Sequence, residues 1–232
     1  MQGNRKRLVL FDVDGTLLHS GGAGREAIRL TLEAVYGKAG PVNGFPLAGK
    51  TDLQIFYELL HEAGFSEEEI EAGIPRAVEV YPGCLRQLIG NHQVRVCPGV
   101  TELLESLTGT PEAEVALLTG NLESGAWVKL QAARLDRFFR WGAFGSEARD
   151  RSDLPALAVA RAHERTGHRF AGKEVVIVGD TPADILCGRG LGVRSIAVAT
   201  GPYSCEDLLA WEPDFCFRDL TDAEAVMKAI FA

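Results

Sequence analysis

Long hydrophobic runs are absent from this 232-residue sequence. No stretch approaches the roughly 20 consecutive apolar residues that a membrane-spanning helix needs. Near the N-terminus, the basic residues Arg5, Lys6 and Arg7 precede only a short apolar run at 8–11, which is too short for the hydrophobic segment of a signal peptide. The sequence therefore predicts no association with a membrane.

An excess of basic charge is also absent. Lysine and arginine total 24 against 32 aspartates and glutamates, which gives a formal net charge of -8 at pH 7. A negatively charged protein repels the phosphate backbone of DNA and RNA. We therefore expect no nucleic-acid partner.

Closely spaced metal-binding cysteines and histidines are missing as well. The five cysteines are widely separated and form no Cys-x-x-Cys pair: Cys84, Cys97, Cys187, Cys205 and Cys216. This spacing is typical of reduced, mostly structural thiols and predicts a cytoplasmic protein. His163 and His168 do not fall on one face of a helix, which disfavours a histidine metal site.

The sequence does contain a globular composition, with 46% hydrophobic and 24% charged residues, and a strand–helix alternation. Short apolar runs predict strands at 7–13, 114–118, 174–178 and 194–198, with a weaker one at 214–217. Strands that alternate with helices favour parallel βαβ units, and hence an α/β fold with a doubly wound, Rossmann-like sheet. Ligands bind such sheets beyond the carboxyl ends of the strands.

Residues 20–91 interrupt this alternation, because they show helical periodicity and no credible strand. Pro82-Gly83 is expected to break or kink the last helix of this stretch. We therefore predict an all-helical cap at 20–91, inserted into an α/β core made of residues 1–19 and 92–232. The chain would leave the core through Gly21-Gly22, which also suits a hinge for cap motion.

Polar residues follow three of the predicted strands. They form Asp12-Val13-Asp14-Gly15-Thr16, Thr119-Gly120-Asn121 and Gly179-Asp180-Thr181-Pro182-Ala183-Asp184. Each segment alone has an ordinary explanation, because Asp-Gly is a common turn pair and the other two segments suit the starts of helices. All three together, each at the end of an apolar strand, indicate a single site.

The chemistry that needs such a set is phosphoryl transfer through an aspartyl phosphate. Four carboxylates at one mouth would repel one another and a phosphate ester: Asp12, Asp14, Asp180 and Asp184. The site therefore needs a cation, and oxygen ligands suit Mg²⁺. Asp12 would attack phosphorus, while Asp14 would protonate the leaving oxygen and later deprotonate the attacking water.

The loops at the strand ends supply candidate phosphate ligands. Gly15 lets the backbone turn so that nearby amides face the phosphate, and the Thr119 hydroxyl can donate a hydrogen bond to it. The predicted set of phosphate-binding residues is Gly15, Thr16, Thr119, Gly120 and Asn121.

Phe-Asp-Val-Asp-Gly-Thr-Leu resembles the first signature of the haloacid dehalogenase-like superfamily, Leu-Leu-Thr-Gly-Asn the second, and Val-Gly-Asp-Thr-Pro-Ala-Asp the fourth. The similarity covers essentially the whole chain and looks closest to the phosphoglycolate phosphatase branch, with a helical cap after the first motif. It implies Asp12 as nucleophile, Asp14 as general acid and base, and Thr119 as phosphate ligand. It also implies that Asp12, the Asp14 carbonyl and Asp180 hold Mg²⁺. Asp184 would lie nearby or behind these ligands.

The third signature is where the sequence departs from the superfamily, whose members usually place a lysine ahead of the helix before the fourth motif. The corresponding segment here is Asp150-Arg151-Ser152-Asp153-Leu154-Pro155. Arg151 is our candidate for that cation, with Arg149 and Lys129 as rivals. Arginine is permanently charged and can bind phosphate through two donors, but it does not reproduce the compact charge of lysine.

Lys50 is a candidate substrate ligand in the predicted cap. It lies in Gly49-Lys50-Thr51-Asp52, where relatives often present a basic residue to the site, and it could contact the substrate's phosphate or carboxylate. The alternative is that Thr51 caps a helix, Asp52 suits the first helical turn, and Lys50 is solvated.

These residues predict an Mg²⁺-dependent phosphomonoesterase that acts on a small phosphorylated metabolite through a phospho-Asp12 intermediate. A β-phosphoglucomutase-like phosphotransferase would keep both aspartates of the first motif and stays open as the alternative enzyme. A receiver-like signalling domain also phosphorylates a strand-end aspartate, but it would be a shorter, single domain without an inserted cap. No oligomeric state is predicted.

Overall fold

The computed structural model describes residues 6–232. Its strands are β1 (Arg7–Phe11), β2 (Leu18–His19), β3 (Arg95–Val96), β4 (Ala113–Thr119), β5 (Gly142–Phe144), β6 (Val175–Gly179), β7 (Arg194–Val198) and β8 (Phe215–Phe217). Its α-helices are α1 (Ala23–Tyr36), α2 (Asp52–Glu62), α3 (Glu67–Ile89), α4 (Val100–Thr108), α5 (Glu123–Ala132), α6 (Leu154–Thr166), α7 (Pro182–Cys187), α8 (Cys205–Leu209) and α9 (Ala223–Phe231).

The sequence predicts no membrane-spanning helix and no paired cysteines. Within residues 6–232, no helix combines the length and apolar character that crossing a bilayer requires. All five cysteines are free thiols. Residues 1–5, which the predicted core and the basic N-terminal run include, lie outside the described range.

Six strands form one parallel sheet in the order β5-β4-β1-β6-β7-β8, with helices on both faces. The first strand lies in the middle, because the chain builds outward through β4 and β5 and then through β6, β7 and β8 on the other side. In β1, Leu8 and Leu10 belong to one apolar layer, and Val9 and Phe11 belong to the opposite one. Burial on both faces explains why this strand is apolar throughout. The predicted doubly wound sheet is confirmed.

All the predicted strands are present with small shifts at their ends; the first, for example, ends at Phe11 rather than at residue 13. The structure adds β5, which has three residues, and the antiparallel pair of β2 and β3, which have two residues each. Such short strands leave no periodicity for a sequence to reveal, and they form because neighbouring segments are already in place.

Helices α1, α2 and α3, here called the cap helices, fill the stretch that the sequence predicts to be helical. Their shared apolar cluster extends onto Leu122 and Val128, at the start of α5 and within it. Helix α3 passes through Pro75 and Pro82 without ending, so no break occurs at Pro82-Gly83. A proline removes one backbone donor, but buried residues on both sides of it, including Tyr81, anchor the helix. The division of the chain into core and cap stays a prediction.

The two connections between the sheet and the cap helices run side by side. Leu18 pairs with Val96 where β2 meets β3. Gly21 has φ of 61°, and a Cβ there would lie 2.9 Å from the carbonyl oxygen of Gln93. This close approach and the left-handed backbone both favour glycine. The chain therefore leaves for the cap helices and returns from them at one place.

Candidate active site

The ends of β1, β4 and β6 meet because these three strands are adjacent in the sheet. A cavity of about 420 Å³ lies beyond them, bounded on its other side by the cap helices. The predicted site residues that line it are Asp12, Asp14, Gly15, Lys50, Thr119, Gly120, Asn121, Arg151 and Asp180. Thr16 and Asp184 are buried outside this lining.

Asp12, Arg151, Asp180 and Asp184 form a buried charged group, here called the Asp12 cluster. The three carboxylates each offer one oxygen within 4.8 Å of the others. Arg151 Nη2 donates to Asp12 Oδ1 at 3.0 Å and to Asp184 Oδ1 at 2.5 Å. One guanidinium thus faces three carboxylates, so negative charge is in excess.

The pKa values of the Asp12 cluster reflect this excess. Burial raises the pKa of Asp12 to about 6; the Arg151 charge opposes the rise, and the Asp184 charge adds to it. Burial, together with repulsion from Asp12 and Asp184, also raises the pKa of Asp180 well above its ordinary value. A divalent cation would relieve both effects, because it neutralises carboxylates that burial and repulsion destabilise. The buried aspartates therefore fit a metal site with oxygen ligands.

Asp180 is held by the loop that follows β1. Thr16 Oγ1 donates to Asp180 Oδ1 at 2.9 Å. Gly15 has φ of 86°, and a Cβ there would lie only 2.4 Å from Asp180 Oδ2. The loop therefore packs directly on this carboxylate. The Thr16 side chain is turned to Asp180, so the structure does not bring it to the cavity as a phosphate ligand.

Asp184 accepts hydrogen bonds from two residues, Thr181 and Arg151. The Thr181 backbone N–H and hydroxyl donate to Asp184 Oδ2 at 3.1 and 2.7 Å, which satisfies the start of α7. Its other oxygen, Oδ1, accepts from Arg151. The helix-start explanation therefore holds for this residue, which also lies beside Asp12 and Asp180. With both oxygens engaged, Asp184 lies behind Asp12 and Asp180 relative to the cavity.

Asp14, Asn121 and Lys129 form a second group, here called the Asp14 cluster. Asp14 Oδ2 accepts from Lys129 Nζ at 2.5 Å and from Asn121 Nδ2 at 2.8 Å. Lys129 Nζ also donates to Asn121 Oδ1 at 2.5 Å. The Lys129 side chain is 5% exposed, whereas that of Asp14 is 40% exposed and lines the cavity. Here one ammonium balances one carboxylate.

Thr119, at the end of β4, is oriented by the same network. Its hydroxyl oxygen accepts from the Asn121 backbone N–H at 3.3 Å and from the Asn121 side-chain amide at 2.8 Å. Two donors fill the acceptor positions of a hydroxyl, so its own hydrogen is free to be donated. Thr119 can therefore donate a hydrogen bond to an anion in the cavity.

The three candidate cations for the third signature occupy different places. Arg151 is buried and contacts Asp12. Arg149 is half exposed and pairs with Glu67 of the cap helices at 2.8 Å. Lys129 is buried and donates to Asp14 and Asn121 instead of Asp12. The geometry therefore favours Arg151 as the cation beside Asp12.

Lys50 lies on the cavity wall, where its ammonium pairs with Glu58 and lies 4.7 Å from the centre of the Phe45 ring. Thr51 caps α2, as the alternative explanation expected, by accepting the Gln54 N–H at 3.0 Å. Lys50 is thus an ion-paired residue rather than a solvated one. Its contact with a substrate stays a prediction.

Asp52 and Tyr81, two cap residues that the sequence did not single out as site residues, reach the same region. The buried Asp52 carboxylate accepts the Leu122 N–H at 2.8 Å, and its own N–H donates to the Gly120 carbonyl at 2.7 Å. Burial raises the pKa of Asp52 to about 6, and the charge of Lys129 opposes the rise. Tyr81 lines the cavity, and its buried hydroxyl has no hydrogen-bond partner in residues 6–232.

These placements carry almost no signal in the sequence. Asp52 and Leu122 are 70 positions apart, and a first-turn aspartate has an ordinary local explanation. Lys129 offers the clearest clue, because it is a single charge beside Val128 and Leu130 in a helix that starts just after the second motif. A charged residue among apolar neighbours indicates a buried partner.

Comparison with known proteins agrees with this geometry. Residues 6–192 match the sequence model of the haloacid dehalogenase-like hydrolases. The match spans most of the chain, so the protein belongs to the haloacid dehalogenase-like hydrolase family. It is therefore an enzyme, as the motifs predict.

The relatives narrow this assignment. Phosphoglycolate phosphatase 1 of Pseudomonas aeruginosa is 29% identical over 222 residues, covering 93% of this chain and 78% of the relative. The chain is thus similar to a phosphoglycolate phosphatase over most of its length.

Solved structures share the fold. A predicted phosphoglycolate phosphatase from Haemophilus somnus gives a TM-score of 0.68 at 21% identity, covering 98% of this chain and 100% of that one. A candidate β-phosphoglucomutase from Thermotoga maritima gives a TM-score of 0.60 at 20% identity, covering 96% and 98%. The resemblance to these two structures concerns the fold alone, and it includes the cap helices as well as the sheet.

Proposed function

We propose that this protein is an Mg²⁺-dependent phosphomonoester hydrolase that acts on a small phosphorylated metabolite through a phosphorylated Asp12. The observation that carries the proposal is the pair of unlike clusters on one cavity. The Asp12 cluster has buried carboxylates in excess of positive charge. The Asp14 cluster presents a balanced, partly exposed carboxylate beside it. Such a pair suits a nucleophile with a bound cation and a separate acid.

Asp12 and Asp180 would hold the Mg²⁺, together with the Asp14 backbone carbonyl that the family resemblance implies. Asp184 would support them from behind through Arg151. When bound, the ion would shield Asp12 from the negative phosphate and stabilise charge on the phosphoryl oxygens.

The reaction would proceed in two displacements. In the first, the Asp12 carboxylate forms a bond to phosphorus, the bond to the leaving oxygen breaks, and Asp14 gives its proton to that oxygen. In the second, water bonds to phosphorus and gives a proton to Asp14, while the bond between Asp12 and phosphorus breaks and inorganic phosphate leaves. Arg151 would hold Asp12 in place, and the Thr119 hydroxyl would hold the phosphoryl group.

The size and the lining of the cavity favour a small, acidic substrate. Its volume of about 420 Å³ suits a metabolite rather than a macromolecule. Four cationic side chains lie on its wall: Arg25, Lys50, Lys129 and Arg151. The curated relatives are phosphoglycolate phosphatases, which makes phosphoglycolate the first substrate to test. The cytoplasmic location predicted from the cysteines is part of this proposal.

Phosphate release from p-nitrophenyl phosphate and from a metabolite panel tests the proposal, with Mg²⁺ or EDTA present. Wild type should release phosphate only with Mg²⁺, and Asp12→Asn should lose about 10⁴-fold or more in kcat, because the nucleophile is gone. Asp219→Asn is a matched control, since the Asp219 carboxylate accepts hydrogen bonds from the nearby Thr221 and does not line the cavity.

Three results would contradict the proposal in different ways. Full release by Asp12→Asn would exclude the phospho-Asp12 intermediate, and release that EDTA does not reduce would exclude the metal. Phosphate that appears on a sugar rather than free in solution would identify a phosphotransferase instead.

A further inference from the structure

Lys129, a rival for the third-signature cation in the sequence, instead contacts Asp14, a place in the site that the family motifs do not assign to it. We propose that Lys129 is a positioning residue, which holds Asp14 through Oδ2 and thereby presents Oδ1 to the leaving oxygen of the substrate. This role rests on the proposed function, in which Asp14 protonates that oxygen.

The hydrogen bonds at Asp14 are one-sided. Oδ2 accepts from Lys129 Nζ at 2.5 Å and from Asn121 Nδ2 at 2.8 Å, whereas Oδ1 has no hydrogen-bond partner in the described part of the chain. An oxygen that accepts from an ammonium and an amide has no room for a proton of its own. A proton on the Asp14 carboxyl is therefore carried by Oδ1, the oxygen left free for the substrate.

The Lys129 ammonium is held in place by its surroundings. Its ammonium donates to Asn121 Oδ1 at 2.5 Å, and a Cβ on Gly24 of the first cap helix would lie 3.3 Å from Nζ. The charge of Lys129 also acts on Asp52 of the second cap helix, where it opposes the rise in pKa that burial causes. The hydrogen bonds to Asp14 and Asn121 thus hold the ammonium, and the first cap helix leaves little free space beside it.

A purely structural explanation is that Lys129 neutralises the buried charge of Asp52. The two explanations differ in how they depend on the leaving group. An alkoxide leaves phosphorus only with a proton, whereas p-nitrophenolate is stable enough to leave without one. A loss of positioning should therefore affect alkyl phosphates selectively, and a loss of structure should affect all substrates equally.

The experiment measures kcat/KM of Lys129→Met on p-nitrophenyl phosphate and on the best alkyl phosphate of the metabolite panel. This ratio reports the steps up to departure of the leaving group and excludes hydrolysis of phospho-Asp12, in which Asp14 serves both substrates alike. General acid catalysis contributes about 10²–10⁴-fold, so we expect a loss of about 10²-fold on the alkyl phosphate. On p-nitrophenyl phosphate, where no proton is needed, the loss should stay within about fivefold.

Lys129→Gln keeps a donor for Asp14 and should show a smaller loss with the same selectivity; it replaces Lys129→Met if thermal melting shows that variant to be unfolded. Lys228→Met is the matched control, since the Lys228 side chain is 74% exposed and forms a surface ion pair with Glu224. Equal losses on both substrates in the folded variant would overturn the positioning role while the proposed hydrolase stands. Failure of the wild type to hydrolyse either ester would instead overturn the proposed function.

Discussion

The Asp12 cluster and the Asp14 cluster face one cavity but balance their charges differently. In the Asp12 cluster one guanidinium faces three buried carboxylates, and burial raises the pKa of Asp12 to about 6. In the Asp14 cluster an ammonium and an amide hold a single carboxylate that is 40% exposed. The Asp12 cluster therefore has carboxylates in excess of positive charge and could bind a cation, whereas the Asp14 cluster pairs one carboxylate with one ammonium.

The difference arises within two positions of sequence. Asp12 and Asp14 both follow β1, which lies between β4 and β6 in the sheet. Asp12 belongs to the group with Asp180 from the end of β6, and Asp14 is bound by Asn121 from the end of β4. Neighbouring strands thus give two similar carboxyl groups unlike surroundings, as the proposed roles of nucleophile and acid require.

The largest expected effect comes from removing a carboxylate of the Asp12 cluster. Asp180→Asn should lower kcat about 10³-fold or more, because a metal ion contributes several kcal/mol of charge stabilisation. In EDTA the same change should raise Tm, since it removes a carboxylate whose pKa is raised by burial and by repulsion from Asp12 and Asp184. Melting with and without Mg²⁺ measures both effects: Mg²⁺ should stabilise wild type and Lys129→Met, but not Asp180→Asn.

Two outcomes would break the comparison. A full Mg²⁺ shift in Asp180→Asn would show that Asp180 is not a ligand. Loss of the shift in Lys129→Met would show that the two clusters are not independent.

The next effect concerns the cation of the Asp12 cluster. Arg151→Met should lower kcat about 10²-fold and destabilise the metal-free protein by about 3 kcal/mol, because buried carboxylates lose their partner. Arg149→Met is the matched control two residues away, and it should change the free energy of unfolding by at most about 1 kcal/mol, since its pair with Glu67 is exposed. Steady-state kinetics and urea unfolding measure both changes. Near-normal turnover of Arg151→Met would exclude Arg151 as the third-signature cation.

The smallest expected effect concerns Asp52, a buried carboxylate of the cap helices on which the charge of Lys129 also acts. Burial raises the pKa of Asp52 from 3.8 to about 6, so the folded protein binds this proton more tightly than the unfolded chain does. The stability that this group contributes is therefore present below about pH 4 and lost as the pH rises to about 6. Asparagine does not titrate, so Asp52→Asn should gain stability relative to wild type over that interval, by at most about 3 kcal/mol.

Urea unfolding of wild type and Asp52→Asn at pH 4 and pH 7, both in EDTA, measures this gain. The other carboxylates are common to the two proteins and cancel in the difference. A difference in stability that does not change with pH would show that Lys129 and the Leu122 N–H already compensate the buried carboxylate fully.

Much of the site could be predicted because it depends on local sequence. Asp12, Asp14, Thr119 and Asp180 lie at or just beyond the ends of apolar strands, and parallel strands bring their carboxyl ends together. Arg151 could be proposed only from its place before a helix, and its contact with Asp12 needed the fold. The hydrogen bond from Thr16 to Asp180 was not predicted, because nothing in the sequence around a threonine after a turn indicates that it will contact a carboxylate at the end of another strand.

By itself, the sequence determined five of the six strands of the parallel sheet, the helical character of residues 20–91 and the three strand-end motifs, because these follow from periodicity and turn residues along a short stretch of chain. Only the tertiary structure decided which charged side chains contact one another. It placed Lys129 at Asp14 and Arg151 at Asp12, and it brought Asp52 of α2 to the start of α5. These contacts join residues far apart in sequence, and their energies depend on burial, which exists only when the chain is folded.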